Sequence, residues 1–197
     1  MDKRRLEAFS DGVIAIIITI MVLELIAPHA DHAPTLADLL PLWPLFVSYV
    51  LSFVCVGMYW NNHHHLLHIS DRIDGRVLWA NLFHLFWLSL IPVASAWMGG
   101  NEFASWPVAL YGVILWMCAF AYYVLERALV HANGRDSELA AAVGVDAKGL
   151  ISLGLYTVAI PLAFVNQWVA FALYVVVAVM WLIPDPRIER RISGDAS

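Results

Sequence analysis

Residues 77–98 read VLWANLFHLFWLSLIPVASAWM, twenty-two positions without one charged side chain. A helix rises about 1.5 Å per residue and crosses about 30 Å of hydrocarbon in roughly 20 residues. The run is therefore predicted to span a bilayer, since a soluble domain of 197 residues has little room to surround such a helix. Working outward, apolar windows recur at residues 8–27, 39–60, 104–125, 150–165 and 168–183. The last two are short and need their polar flanks, Lys148-Gly149 and Asn166-Gln167, to reach the interfaces. The composition agrees: 61% of residues are hydrophobic and 14% charged, and mean hydropathy is +0.73, where soluble domains are about half apolar and a quarter charged. The fold class read from these windows is an all-α integral membrane protein with six transmembrane helices. Residues 1–197 form a single domain, because no internal repeat, low-complexity tract or linker divides them.

The basic residues set the orientation. Lys3, Arg4, Arg5, Arg72, Arg76, Arg127, Arg135, Lys148, Arg187, Arg190 and Arg191 are all the lysines and arginines in the chain. They fall before the first window, between the second and third, between the fourth and fifth, or after the sixth. Six spans bring those four regions to one side, and the positive-inside rule makes that side cytoplasmic. The expectation is a multi-pass protein of the cell membrane with both ends in the cytoplasm. The other loops are short and carry Asp31, Asp38 and Glu102, with Glu24 near the outer end of the first helix. That acidic rim would concentrate cations, or simply mirrors the basic bias inside. Lys3, Arg4 and Arg5 ahead of an apolar run resemble the start of a signal peptide. Asp11 and Glu24 interrupt the run and no small-residue cleavage site follows, so a retained helix is expected.

The first helix carries the chemistry, in the stretch Arg5-Leu6-Glu7-Ala8-Phe9-Ser10-Asp11-Gly12. A carboxylate near the start of a span is costly unless it is paired or faces a polar interior. At about 100° per residue, Asp11 lies about 140° from Ile16. Ile16, Ile20 and Leu23 recur at i, i+4 and i+7 as one apolar stripe, with Thr19 the polar residue of the helix core. If the stripe faces a pore, Asp11 points back into the subunit as a brace. Its candidate partners are then Trp60, Asn61, His63, His64 and His65, where the second helix ends. From the residues alone the stripe fits ordinary helix packing or a pore lining.

The spacing Arg5-x-x-x-Phe9-Ser10-Asp11 resembles the RxxxFSD signature of the transmembrane protein 175 family of endosomal and lysosomal potassium channels. Six spans, a histidine-rich end to the second and short outer loops extend the resemblance over the whole chain. Animal members carry two six-helix units and dimerise. Prokaryotic members carry one unit and form tetramers, so the resemblance implies a homotetramer in the lipid bilayer. It also implies that four first helices surround a pore without a TVGYG filter, and no such run occurs here. By residue type, the family's hydrophobic constriction maps to Ile16, then Ile20 and Leu23, and its potassium-preferring threonine to Thr19. The motif residues Arg5, Phe9, Ser10 and Asp11 take a structural role around the pore helix. The conducted ion would be potassium, with other monovalent cations following. No cofactor, metal or nucleic-acid partner is implied.

The string Asn61-Asn62-His63-His64-His65-Leu66-Leu67-His68 admits other chemistry. His64 and His68 share a helix face at a spacing that metal sites use. His63, His64 and His65 point three ways and cannot chelate one ion together. No carboxylate completes an HExxH pattern, so hydrogen bonding to the Ser10–Asp11 end of the first helix, or a solvated interfacial face, is the expectation. Histidines there could also confer pH sensitivity. His84 reads as a packing histidine, Cys55 and Cys118 as buried thiols, and Pro92, Pro107 and Pro161 as kinks or helix ends. Tryptophans at 43, 60, 97, 106, 168 and 181 fall near the interfaces, where aromatic belts form. The main alternative function is a secondary transporter or proton-coupled carrier, which would show inverted repeats and a polar midplane site. A membrane enzyme would need a nucleophile or an acid/base pair that the chain does not spell.

Overall fold

The structure, a computed structural model, describes residues 2–25, 35–134, 136–144 and 146–182. The expected outer end of the first span at residues 26–27, Asp31, Arg135, residue 183 of the last span and the basic residues Arg187, Arg190 and Arg191 lie outside them. Among the described residues eight helices follow in order: α1 (Lys3–Val22), α2 (Trp43–Ile69), α3 (Gly75–Leu88), α4 (Ile91–Gly100), α5 (Ser105–Asn133), α6 (Glu138–Val143), α7 (Ala147–Leu162) and α8 (Gln167–Leu182), with a 3-10 helix at Leu36–Leu42 leading into α2. No strand occurs among the described residues. Among the described residues three segments are long and apolar enough to cross a membrane: Leu36–Ile69, Gly75–Gly100 and Ser105–Asn133. The shorter Ala147–Leu162 and Gln167–Leu182 are apolar throughout.

The run that opened the sequence reading is one membrane segment but two helices. Pro92 has no N–H to offer the carbonyl of Leu88, and its ring would clash there in a continuous helix. The chain turns at Ser89 and Leu90 and restarts with Pro92 in the first turn of α4, where its missing donor costs nothing. The freed end of α3 is closed by the Ser89 N–H on the Leu85 carbonyl at 3.0 Å and the Ser89 hydroxyl on the Phe86 carbonyl at 2.7 Å. At the other end of α3, the Asp74 carboxylate accepts the N–H groups of Arg76 and Val77, both at 2.9 Å. Ser137 and Asp146 cap α6 and α7 in the same manner.

α5 is the hub, packed against α3, α4, α7 and α8, while α1 lies against α2, α3 and α4. Two apolar clusters follow from this. The larger joins Ile14, Ile17 and Met21 of α1 to Val56, Leu88, Met98, Leu115 and Tyr174. The smaller gathers Leu6, Leu66, Leu67, Val77, Leu125 and Leu129 around the start of α1 and the end of α2. α4 lies close against α2 at Gly99, where a Cβ would stand 2.7 Å from the Leu45 Cα. Phe103 closes the α4–α5 turn with φ of 60°, a left-handed conformation that costs a non-glycine residue about 1–2 kcal/mol. Its ring is fully buried, 4.8 Å from Phe171 and 5.2 Å from Trp168 between ring centres. Burying a phenylalanine contributes about 1.5–3 kcal/mol, enough to hold the turn. Outward, the surface is apolar: Trp79 is 74% exposed, Trp106 72% and Val165 82%. A surface of this kind is at home in lipid.

Candidate functional site

α1 has a sharply divided surface. Leu6, Ser10, Ile14, Ile17 and Met21 are buried and follow one another at spacings of four, four, three and four. Placed on a wheel at about 100° per residue, they occupy one arc of roughly 80°. The opposite arc, roughly 160° wide on the same wheel, is exposed and runs through Ala8, Phe9, Gly12, Ala15, Ile16, Thr19, Ile20, Val22 and Leu23. Ile16 is 57% exposed, Ile20 44% and Leu23 71%, whereas neighbouring Ile17 is 4% exposed. The chain's own helices thus leave Ile16, Ile20 and Leu23 uncovered. The Thr19 hydroxyl donates to the Ile16 carbonyl at 3.0 Å, and Thr19 is exposed on that same face. Arg5 lies on the exposed side near the foot of the helix, and Phe9 is 48% exposed.

The buried arc is held by a polar link. Ser10 is fully buried, and the Asn81 amide of α3 donates to its hydroxyl at 3.0 Å. The Asn81 carbonyl oxygen accepts from Nε2 of buried His63 on α2 at 2.7 Å, so the bond fixes the proton of that imidazole on Nε2. Ser10 stands near the start of α1, His63 near the end of α2 and Asn81 near the start of α3, so three helices, α2 running opposite to the other two, converge at one level. On each helix the polar residue lies between a member of the larger apolar cluster and a member of the smaller: Ile14 and Leu6, Val56 and Leu66, Leu85 and Ala80. An axial slip of α1 would strand these polar groups in an apolar core, so the link sets its register. Beside it, the Trp60 indole N–H donates to an Asp11 carboxylate oxygen at 3.0 Å, and half-buried Asp11 faces α2.

Trp60 and His63 of the expected partners therefore reach the motif, Trp60 directly and His63 through Asn81. Asn61, His64 and His65 are exposed and make no hydrogen bond to Ser10 or Asp11 among the described residues. His64 instead stacks on Trp60 and His68 at 6.1 Å in each case. Asn81 was missed as part of this site. The signal that could have found it was its place five residues into an apolar span, at the depth of Ser10 and His63. His84, one helical turn beyond Asn81, is fully buried against Tyr59 and Tyr122, and neither ring nitrogen has a hydrogen-bond partner among the described residues.

A lipid-facing bundle of this kind, with one uncovered helix face backed by a buried polar anchor, defines a helical integral membrane protein. Comparison with known proteins narrows the class. The profile of the family described as endosomal/lysosomal potassium channel TMEM175 matches residues 5–92, the segment that contains α1, the polar link and the α3–α4 break. A protein of Chryseobacterium sp. named as a potassium channel is 48% identical over 98% of this chain and 99% of its own length. A crystal structure of a lysosomal potassium-selective channel TMEM175 homolog from Chamaesiphon minutus superposes with a TM-score of 0.78, at 29% identity, over 91% of this chain and 96% of that one. A Gallus gallus protein named as the endosomal/lysosomal proton channel TMEM175 is 29% identical over 48% of this chain and 21% of its own length. The chain belongs to the TMEM175 family.

Proposed function

We propose that this chain is one subunit of a potassium-preferring cation channel in the cell membrane, with six spans, both ends in the cytoplasm and residues 1–197 acting as one domain. The observation that carries the reading is the uncovered arc of α1, on which Ile16, Thr19, Ile20 and Leu23 lie exposed. One helix cannot enclose a conduit, so the face needs copies of itself around an axis, and closed cyclic symmetry supplies them. A homotetramer places four α1 helices around the pore. The names of the prokaryotic relatives support potassium as the conducted ion.

The mechanism follows from the side chains. A ring of Ile16 at a narrow axis offers no ligand to an ion that must shed water, so the ring acts as a hydrophobic constriction that gates by dewetting. Ile20 and Leu23 repeat the barrier one and two turns on. Thr19, between Ile16 and Ile20, presents hydroxyl oxygens that can take over part of the hydration of a potassium ion, whose shell is looser than that of sodium. Asp11 and Ser10 face the bundle, where their bonds to Trp60 and Asn81 hold α1 at the rotation that keeps Ile16 on the axis.

A proton-coupled carrier is the second reading. It draws on buried His84, whose ring nitrogens have no close hydrogen-bond partner among the described residues. Liposomes containing only the purified protein separate the two. Dissipation of a potassium gradient, with weaker sodium and no chloride flux, supports the channel. Electroneutral exchange of potassium for protons, or flux only on adding a substrate, supports the carrier and contradicts the channel.

A further inference from the structure

The exposed histidines at the end of α2 have no part in the polar anchor, yet they are ordered into a ladder. Trp60, His64 and His68 occupy successive i, i+4 positions. Their rings stack at 6.1 Å and 25° between Trp60 and His64, and at 6.1 Å and 21° between His64 and His68. His65 is also exposed but meets His64 edge-on at 5.7 Å, since it projects about 100° around the helix. The imidazole nitrogens of His64 and His68 take no hydrogen bond among the described residues. Two accessible imidazoles therefore share one face with their lone pairs unused.

Side chains four apart on a helix have Cβ atoms about 5–6 Å apart. That separation lets two imidazoles turn onto one ion at about 2.0–2.1 Å each. We propose that His64 and His68 form a two-imidazole site for a divalent transition metal, of the class Cu²⁺, Ni²⁺ or Zn²⁺. Among the described residues of one chain, no group of three or more His, Cys, Asp or Glu could hold an ion. Water fills the remaining positions, and affinity follows the borderline-soft order in which Cu²⁺ leads. Mg²⁺ and Ca²⁺, which require oxygen ligands, are excluded.

The site sits against the foot of α1. The Lys3 ammonium donates to the backbone carbonyl of His68 at 2.8 Å, and Trp60, on which His64 stacks, holds Asp11 at 3.0 Å. When His64 turns to a metal it leaves the Trp60 ring, and the last turns of α2 become cross-linked. Metal occupancy thereby acts on the residue that braces the motif. Binding itself does not depend on the channel reading, so a silent channel and an absent metal site are distinguishable results.

The experiment uses the full chain with any purification tag removed, and Cu²⁺ or Ni²⁺ alone as the probe. Calorimetry is expected to give one ion per chain, and the Cu²⁺ electron paramagnetic resonance spectrum to carry two equatorial nitrogens. His64→Ala and His68→Ala are each expected to weaken binding at least tenfold, on the order of what the loss of even an outer-shell partner does. His65→Ala is expected to bind as the parent does. Acidification releases the metal, because imidazole ligates only as the neutral base. Metal raises the melting temperature of the parent and of His65→Ala but not of the other two. His68→Gln, which keeps a polar side chain, reproduces the loss if His68→Ala expresses poorly. Undiminished binding in the His64→Ala/His68→Ala double variant, an equal loss in His65→Ala, or equal binding of Mg²⁺ overturns the proposal.

Discussion

Asn81→Ala removes the centre of the polar link and leaves its neighbours in place. Asn81 is fully buried and uses both ends of its amide, toward Ser10 at 3.0 Å and toward His63 at 2.7 Å. Truncation strands a hydroxyl and an imidazole N–H in the bundle. In a soluble core each stranded group costs about 1–3 kcal/mol. Between membrane helices the average is about 0.6 and the maximum about 1.7 kcal/mol, because separated helices find other partners. The membrane figures govern here, so two lost bonds cost about 1–3 kcal/mol. For a chain of this length, 1 kcal/mol moves the melting temperature by about 2–4 °C, so a drop of about 2–12 °C is expected. Thermal melting of the purified protein in detergent, followed by tryptophan fluorescence, reads it directly. Ser10→Ala should cost about half as much. The Ser10→Ala/Asn81→Ala double variant should fall short of the sum by at least about 0.5 kcal/mol, as contacting residues do. Melting within 1 °C of the parent, or strict additivity, would refute the claim that this link holds α1 in register.

Asp11→Ala takes the acceptor from Trp60 and is expected to lower stability by about 1 kcal/mol. Potassium preference over sodium in surviving channels should be unchanged; a changed selectivity ratio in reconstituted flux would put Asp11 on the conduction path. Gly99→Ala adds a methyl group where the Leu45 Cα stands at 2.7 Å and the Pro44 carbonyl oxygen at 3.0 Å. Neither can yield without moving a helix, so yield and melting temperature should fall by the equivalent of about 1–3 kcal/mol. Gly100→Ala, with nothing within 4 Å, serves as the neutral control, and equal melting of the two variants would contradict the close approach of α4 to α2.

The longer helices were legible because each is written as an apolar run, while the six-residue α6 was not, and the break in 77–98 was legible in Pro92 because that residue cannot complete a helix. The helix ends were less so: α2 and α5 continue to Ile69 and Asn133, past the apolar windows, since a helix does not stop where a membrane does. The left-handed turn at Phe103 left no mark, as its cause is a pocket of rings assembled from Trp43, Trp168 and Phe171. On α1 the run Ile14, Ile16, Ile17, Ile18 and Ile20 is apolar all round, so hydrophobicity alone could not say which side the bundle covers. Ser10 marks the buried arc, but its partner Asn81 lies 71 residues further along the chain and no helical periodicity links the two; only the convergence of three helix ends brings them together. The TMEM175 family and its potassium-channel character were readable from Arg5, Phe9, Ser10 and Asp11 because that spacing is specific.

The central claim is that the exposed face of α1 lines the conduction path, and a pair of adjacent substitutions tests it. Ile16 is 57% exposed and Ile17 4%, about 100° apart on one turn. The measurement is potassium and sodium flux from liposomes holding equal amounts of Ile16→Asn or Ile17→Asn protein. Ile16→Asn places amide groups at the constriction, so that ring should wet, conduct more readily and discriminate less between the two cations. Ile17→Asn buries an amide in the core and should lower yield without raising flux. Parental conduction and selectivity in Ile16→Asn, with both altered in Ile17→Asn, would contradict the assignment of the pore face.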